Sequence, residues 1–284
     1  MVMPLLAVGL VVVTGPAAPA HAGGPGDPII GDFDGDGITD VAVPVETPGN
    51  SIDCQLRVDP GHPTAHVDVY TYLVLPEDGY CPDMGTAGEV DESGVDEIIL
   101  TWFAGPPPIM EENLLTLRHY EVVHEGFGLF QPSFIGSADI NGDGFQDVYE
   151  WTDQGEGYVT FLSDGEGSFD PGPERWCANP LSVDVRPMDP GAGADALISY
   201  IERCDDFSSG VVVVLDDGDA QVLQSDPQGL TTWTAEVVPA NADRYPDVRT
   251  VNNETGQVQY FLNTGTGYFL PVTPQPTVAP KATR

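Results

Sequence analysis

The sequence predicts an all-β fold, a β-propeller of about five blades, from three observations: acidic loops at a near-constant interval, strand-like patterning between them, and glycine and proline punctuation throughout.

The loops come first. Asp32-Phe33-Asp34-Gly35-Asp36-Gly37-Ile38-Thr39-Asp40-Val41 and Asp139-Ile140-Asn141-Gly142-Asp143-Gly144-Phe145-Gln146-Asp147-Val148 both read D-x-[DN]-G-D-G-x-x-D-V. Glu89 to Ile98 is a weaker copy, and two worn copies end at Asp195-Ala196 and Asp247-Val248. Their ninth positions are Asp40, Glu97, Asp147, Asp195 and Asp247, a period near fifty residues. Such a period marks a repeat architecture.

Between the loops, Val67 to Val74 and Tyr158 to Leu162 are β-branched and aromatic, with apolar residues recurring about every second position. Val211 to Leu215 reads as a fully buried strand, and the one helix-like window, Met110 to Leu117, is short. A second element, G-x-G-x-F-x-P, appears at Gly126–Pro132, Gly165–Pro171 and Gly265–Pro271, with worn versions at Asp78-Gly79 and Asp217-Gly218. Each unit is therefore read as an acidic loop, β-rich sequence, and a glycine turn followed by an aromatic.

Charge limits the partners. The chain has 45 acidic and 9 basic residues, a net charge of −36. Such a surface repels nucleic-acid phosphates and anionic lipids and attracts cations, so no nucleic-acid partner is expected. Residues 1–22, an apolar run ending in Ala20-His21-Ala22, are expected to be a signal peptide, leaving a secreted, extracellular chain with no membrane insertion after cleavage. Residues 23–272 form the expected propeller, and the Pro/Thr-rich tail 273–284 is expected to be disordered. Four cysteines in an exported chain favour disulfides. Of the three possible connectivities, the equal separations within the pairs favour Cys54–Cys81 and Cys177–Cys204.

The D-x-D-G-D-G-x-x-D-V loop followed by a Gly-x-Gly-x-Phe turn resembles the FG-GAP/VCBS repeat of integrin α-subunit propellers and many exported bacterial proteins. The resemblance covers nearly all of residues 28–272. It implies a loop that joins two strands of a blade and binds Ca²⁺, a ring that usually has seven blades, and a protein or glycan as the extracellular ligand. Five visible units leave open a five-bladed ring, a seven-bladed one, or an incomplete ring completed by another chain.

The residues support the metal chemistry directly. Ca²⁺ takes six to eight oxygen ligands, and alternating acids in a tight loop converge on one point. The expected ligands are Asp32, Asp34, Asp36, Asp40 and the Ile38 carbonyl in the first loop. In the second they are Asp139, Asn141, Asp143, Asp147 and the Phe145 carbonyl. A third calcium site is conceivable at Glu89, Asp91 and Glu97, with Ser93 in the fifth place; the last two units lack the carboxylates. Residues 139–150 also satisfy the EF-hand pattern, with Glu150 at its twelfth place, but Gly128, Pro132 and Gly136 forbid an entering helix. No catalytic motif is present, and His62, His66, His119 and His124 form no nucleophile or zinc pattern. The expected function is a secreted calcium-binding module for protein or glycan ligands. The alternative is an exported polysaccharide hydrolase or lyase on the same frame.

Overall fold

A computed structural model describes residues 23–45, 53–62, 66–73, 81–102, 114–126, 128–129, 131–152, 157–189, 191 and 193–272. The expected signal peptide and C-terminal tail lie outside these residues. The fold is all-β: five four-stranded antiparallel sheets, each a meander in chain order. The first sheet contains β1 (Ile29–Gly31), β2 (Asp40–Val45), β3 (Asp53–Asp59) and β4 (Asp68–Leu73). The second contains β5 (Met84–Gly88), β6 (Glu97–Thr101), β7 (Leu114–Arg118) and β8 (Glu121–Gly126). The third contains β9 (Phe134–Ala138), β10 (Asp147–Thr152), β11 (Gly157–Ser163) and β12 (Phe169–Trp176). The fourth contains β13 (Asn179–Arg186), β14 (Asp195–Ile201), β15 (Ser209–Val214) and β16 (Ala220–Asp226). The fifth contains β17 (Trp233–Val238), β18 (Asp247–Asn252), β19 (Val258–Asn263) and β20 (Phe269–Val272).

The acidic loop always joins the first strand of a sheet to the second, and its ninth residue opens the second strand. Because side chains alternate along a strand, the next two residues diverge. Ile98, Val148, Ala196 and Val248 turn toward the preceding sheet, while Ala42, Ile99, Tyr149 and Leu197 turn toward the following one. Four cores result. Ile29, Leu56 and Val58 pack on Leu100, Trp102 and Leu115. Met84, Ile99 and Leu114 pack on Ile135, Val148 and Phe161. Tyr149, Tyr158 and Trp176 pack on Ala196, Ile198 and Val212, and Leu197, Val211 and Val213 on Trp233, Val248 and Phe261. Each fully buried large apolar side chain contributes about 1.5–3 kcal/mol. Among the described residues no comparable core joins the fifth sheet to the first. Val41 and Val43 on one outer face, and Val251, Tyr260 and Leu262 on the other, stay half-buried. Arg249 stands where the other units have Ala42, Ile99, Tyr149 and Leu197, and pairs with Glu236.

Two expectations are corrected. The described part of the helix-like window, from Leu114 to Leu117, belongs to the strand β7, because Leu115 and Leu117 pair with Leu100 and Ile98 and fill the first core. The three G-x-G-x-F-x-P segments are also not equivalent. Gly165 and Gly267 close the turns between the third and fourth strands of their sheets with φ of 75° and 72°, a region costly for any residue with a Cβ. Gly126 ends β8 and leads into the connection to the third sheet. The second sheet closes its last hairpin with His119 and Tyr120 at φ of 48° and 67°, and Tyr120 stacks on Tyr70 of the first sheet with ring centroids 3.7 Å apart. Val211–Val214 is buried throughout, as expected.

The disulfides are Cys54–Cys81 and Cys177–Cys204, each spanning 27 residues. The first ties β3 to the approach to β5. The second ties the β12–β13 connection to the β14–β15 connection. They indicate an oxidising, extracellular environment. No helix among the described residues is long and apolar enough to cross a membrane. A loop of this length implies a loss of about 2–4 kcal/mol when the bridge is removed. The Cys177→Ala/Cys204→Ala double variant should show that loss in urea unfolding, and a change within error would contradict it.

Candidate metal centre

The first loop is shaped by its own carboxylates. Asp32 accepts the Gly35 N–H on Oδ1 and the Gly37 N–H on Oδ2, both at 2.8 Å. Asp34 Oδ1 accepts the Asp36 N–H at 3.0 Å, and Asp36 Oδ1 accepts the Ile38 N–H at 2.7 Å. Gly35 and Gly37 hold φ of 77° and 80°. The loop of the third sheet repeats this ladder. Asp139 accepts from Gly142 at 2.7 Å and Gly144 at 3.1 Å, Asn141 Oδ1 from Asp143 at 2.9 Å, and Asp143 Oδ1 from Phe145 at 2.9 Å. The fifth loop keeps two rungs, Asp243 to Asn241 and Tyr245 to Asp243, although Pro239 stands at its first position. The ladder therefore forms without a full acidic set and is not itself the mark of a metal.

The ninth position is more informative, because all five of its side chains are fully buried. In three units it is a strut. Asp147 Oδ2 accepts the Ile140 and Asn141 N–H groups at 2.8 and 3.2 Å, while Oδ1 accepts Ser163 N–H at 2.8 Å from the end of β11. Asp195 takes Met188 and Asp216 in the same way, at 2.7 and 3.0 Å. Asp247 takes Ala240, Asn241 and Asn263. Asp40 breaks the pattern. Its Oδ2 accepts Phe33 N–H at 2.8 Å, but Oδ1 is buried with no partner. The N–H that corresponds to Ser163, Asp216 and Asn263 belongs to Gly61, and it donates to Asp59 instead at 3.3 Å.

Asp40 also belongs to a cluster of carboxylates. One carboxylate oxygen each from Asp32, Asp34 and Asp40 lies within 4.8 Å of the others. Calcium–oxygen bonds of 2.3–2.6 Å put ligands on opposite sides of an ion about 5 Å apart, so this spacing suits one Ca²⁺. Burial, and then the charges of Asp34, Asp32 and Asp36, raise the Asp40 pKa. A cation relieves both effects. Asp36 lies outside the cluster. Among the described residues this is the one convergence of three metal-ligating side chains of the carboxylate, thiol or imidazole type.

The other two candidate loops are more self-satisfied. In the third sheet Asp139 is held as Asp32 is, but Asn141 Nδ2 donates to Asp143 Oδ2 at 2.8 Å and Asp147 has N–H donors on both oxygens. In the second sheet Glu89 is exposed, while Asp91 and Glu97 ion-pair with Arg118. Glu150, the twelfth residue of the EF-hand pattern, lies inside β10, where it accepts Leu129 N–H at 2.6 Å.

The loops also form a row. The eighth-position N–H of one loop donates to the first-position carbonyl of the preceding one: Asp96 to Asp32 at 2.9 Å, Gln146 to Glu89 at 2.8 Å, and Ala194 to Asp139 at 2.9 Å. Asp96 adds a side-chain bond, accepting Asp32 N–H at 2.8 Å. In the fifth loop that position is Pro246, which has no N–H to give.

No protein-family model matches the chain, and no curated protein matches it.

Sequence reading missed two buried carboxylates. Burial pushes Glu150 up to about 8. Burial, and then the charges of Asp195, Asp216 and Asp147, push Glu174 up to about 9, against the Tyr158 hydroxyl that donates to its Oε2 at 2.7 Å. Both are sealed from solvent and offer a substrate no access. Each holds a proton in the folded state that it releases on unfolding, where its pKa is about 4.3. Their contribution to stability is thus complete below that value and lost as pH rises through the folded values. In chelator, the urea midpoint should fall between about pH 5 and pH 9, and Glu174→Gln should flatten the decline. An unchanged slope in that variant would contradict this.

Proposed function

We propose that this protein is a calcium-binding β-propeller that works outside the cell as a binding or scaffold module for a protein or glycan. The observation that carries the metal reading is Asp40, whose carboxylate converges with those of Asp32 and Asp34 and keeps one buried oxygen, Oδ1, without a partner. Leaving such a group bare costs free energy that a bound cation recovers. The five sheets, packed in chain order with the loops of the first four joined in a row, suit the blades of a propeller whose ring is open between the fifth and the first. The two disulfides and the acidic charge fit an exported chain, and calcium is millimolar outside cells.

Calcium here would act on the fold. Asp32 contributes a carboxylate to the cluster while its carbonyl and N–H bond to Asp96, so an ion held by Asp32, Asp34 and Asp40 braces the first sheet against the second. The Asp139–Asp147 loop is the second, weaker calcium site of this reading, with an amide where the first loop has the Asp34 carboxylate.

Titrating chelator-stripped protein with Ca²⁺ in a calorimeter should give a Kd on the order of 10⁻⁴–10⁻³ M. At one hundred times Kd the ion stabilises the native state by about 2.7 kcal/mol, seen as a higher melting temperature. Asp34→Ala should abolish the tighter site and most of that shift. Absence of calcium heat from the unaltered protein would refute the reading.

A further inference from the structure

The loop of the second sheet, residues 89–97, already holds a cation. Its third and ninth residues, Asp91 and Glu97, correspond to Asp34 and Asp40 of the first loop, and both are buried. Arg118 Nε donates to Glu97 Oε1 at 3.0 Å, and its Nη2 pairs with Asp91 Oδ2. Ser93 Oγ donates to the same Glu97 oxygen at 2.8 Å, and Val90 N–H to Oε2 at 3.2 Å. The guanidinium thus lies between the two carboxylates whose counterparts converge in the first loop.

The placement comes from the sheet. Arg118 is the last residue of β7, one beyond Leu117, the partner of Ile98. The corresponding places in the other sheets hold Pro60, Leu162, Leu215 and Leu262, none of them charged. The His119-Tyr120 turn that follows is fixed by the stack of Tyr120 on Tyr70, which anchors the strand end carrying Arg118. The charge count agrees. The first loop brings three carboxylates together, those of Asp32, Asp34 and Asp40, with no basic side chain among them, a charge that suits a divalent ion. The second buries two carboxylates, with Ser93 in the fifth place, and a single guanidinium fork spans both.

We propose that Arg118 is the resident cation of the second loop, so that the native loop binds no metal and becomes a calcium site once Arg118 is removed. This rests on the reading of the first loop as a calcium site. Stripping the guanidinium away leaves two buried carboxylates unpaired, a strongly unfavourable state. The hydroxyl of Ser93 and the two carboxylates then form an oxygen-rich pocket of the kind Ca²⁺ selects. An ion can reach it, because the loop borders an open cleft of about 560 Å³ lined also by Glu92, Asp164 and Glu166.

The test compares full-length wild type, Arg118→Met and Arg118→Lys by calcium calorimetry and thermal melting. Arg118→Met should bind one more Ca²⁺ than wild type, melt lower than wild type in chelator, and recover in millimolar calcium. Arg118→Lys, which keeps the charge, should bind the same number as wild type. If Arg118→Met binds no additional Ca²⁺, the proposal is overturned. Should that variant be unfolded in chelator, circular dichroism in millimolar calcium decides: refolding supports the proposal, and continued unfolding overturns it. Failure of the first-loop reading would appear separately, as an Asp34→Ala variant that binds as many ions as wild type.

Discussion

The structure depends on one buried carboxylate per unit, the residue that opens the second strand of each sheet. From that place a side chain reaches both the acidic loop and the end of the third strand, and holds them to each other. Asp147, Asp195 and Asp247 do this with backbone N–H groups alone. A carboxylate in the interior is unfavourable unless its oxygens are satisfied, so whatever satisfies them sets how tightly loop and sheet are joined. Glu97 uses a guanidinium. Asp40 leaves one oxygen without a protein partner, the place that the proposed calcium ion would fill. The same geometric demand is thus met differently from unit to unit.

The row of loop-to-loop hydrogen bonds makes this local question matter to the whole array. Asp32 is both a member of the acidic cluster and the acceptor for Asp96, so the state of the first loop is felt at the packing of the first two sheets. Further along, the same bond recurs between the second and third loops and between the third and fourth, then stops at Pro246. The fourth and fifth sheets rely on the Leu197, Val213 and Phe261 core instead. Metal dependence should therefore be concentrated in the first part of the chain.

Much of this was legible in the sequence. The interval between Asp40, Glu97, Asp147, Asp195 and Asp247 located the second strand of every sheet, and the equal cysteine separations matched both bridges. What escaped was whatever the sheet registers bring together from a distance. Arg118 is far along the chain from Asp91, and only the pairing of β6 with β7 seats it at the second loop. Glu150 and Glu174 sit among so many acids that nothing local distinguishes the buried ones. Glycine motifs misled where one pattern served two purposes: a hairpin turn at Gly165 and Gly267, a sheet-to-sheet connection at Gly126. In the second sheet the hairpin was hidden because His119 and Tyr120 adopt a conformation usually left to glycine. The orphaned oxygen of Asp40 depends on where Gly61 directs its N–H, a choice no pattern in the sequence records.

The central claim is that the spare oxygen of Asp40 is a metal ligand. A crystal structure of the protein grown in millimolar calcium addresses it directly. The account predicts an ion in the first loop, with Asp40 Oδ1 about 2.3–2.6 Å away and Asp32 and Asp34 completing the near side. An empty first loop under the same conditions, with Asp40 Oδ1 taking the Gly61 N–H as its counterparts take Ser163, Asp216 and Asn263, would contradict it.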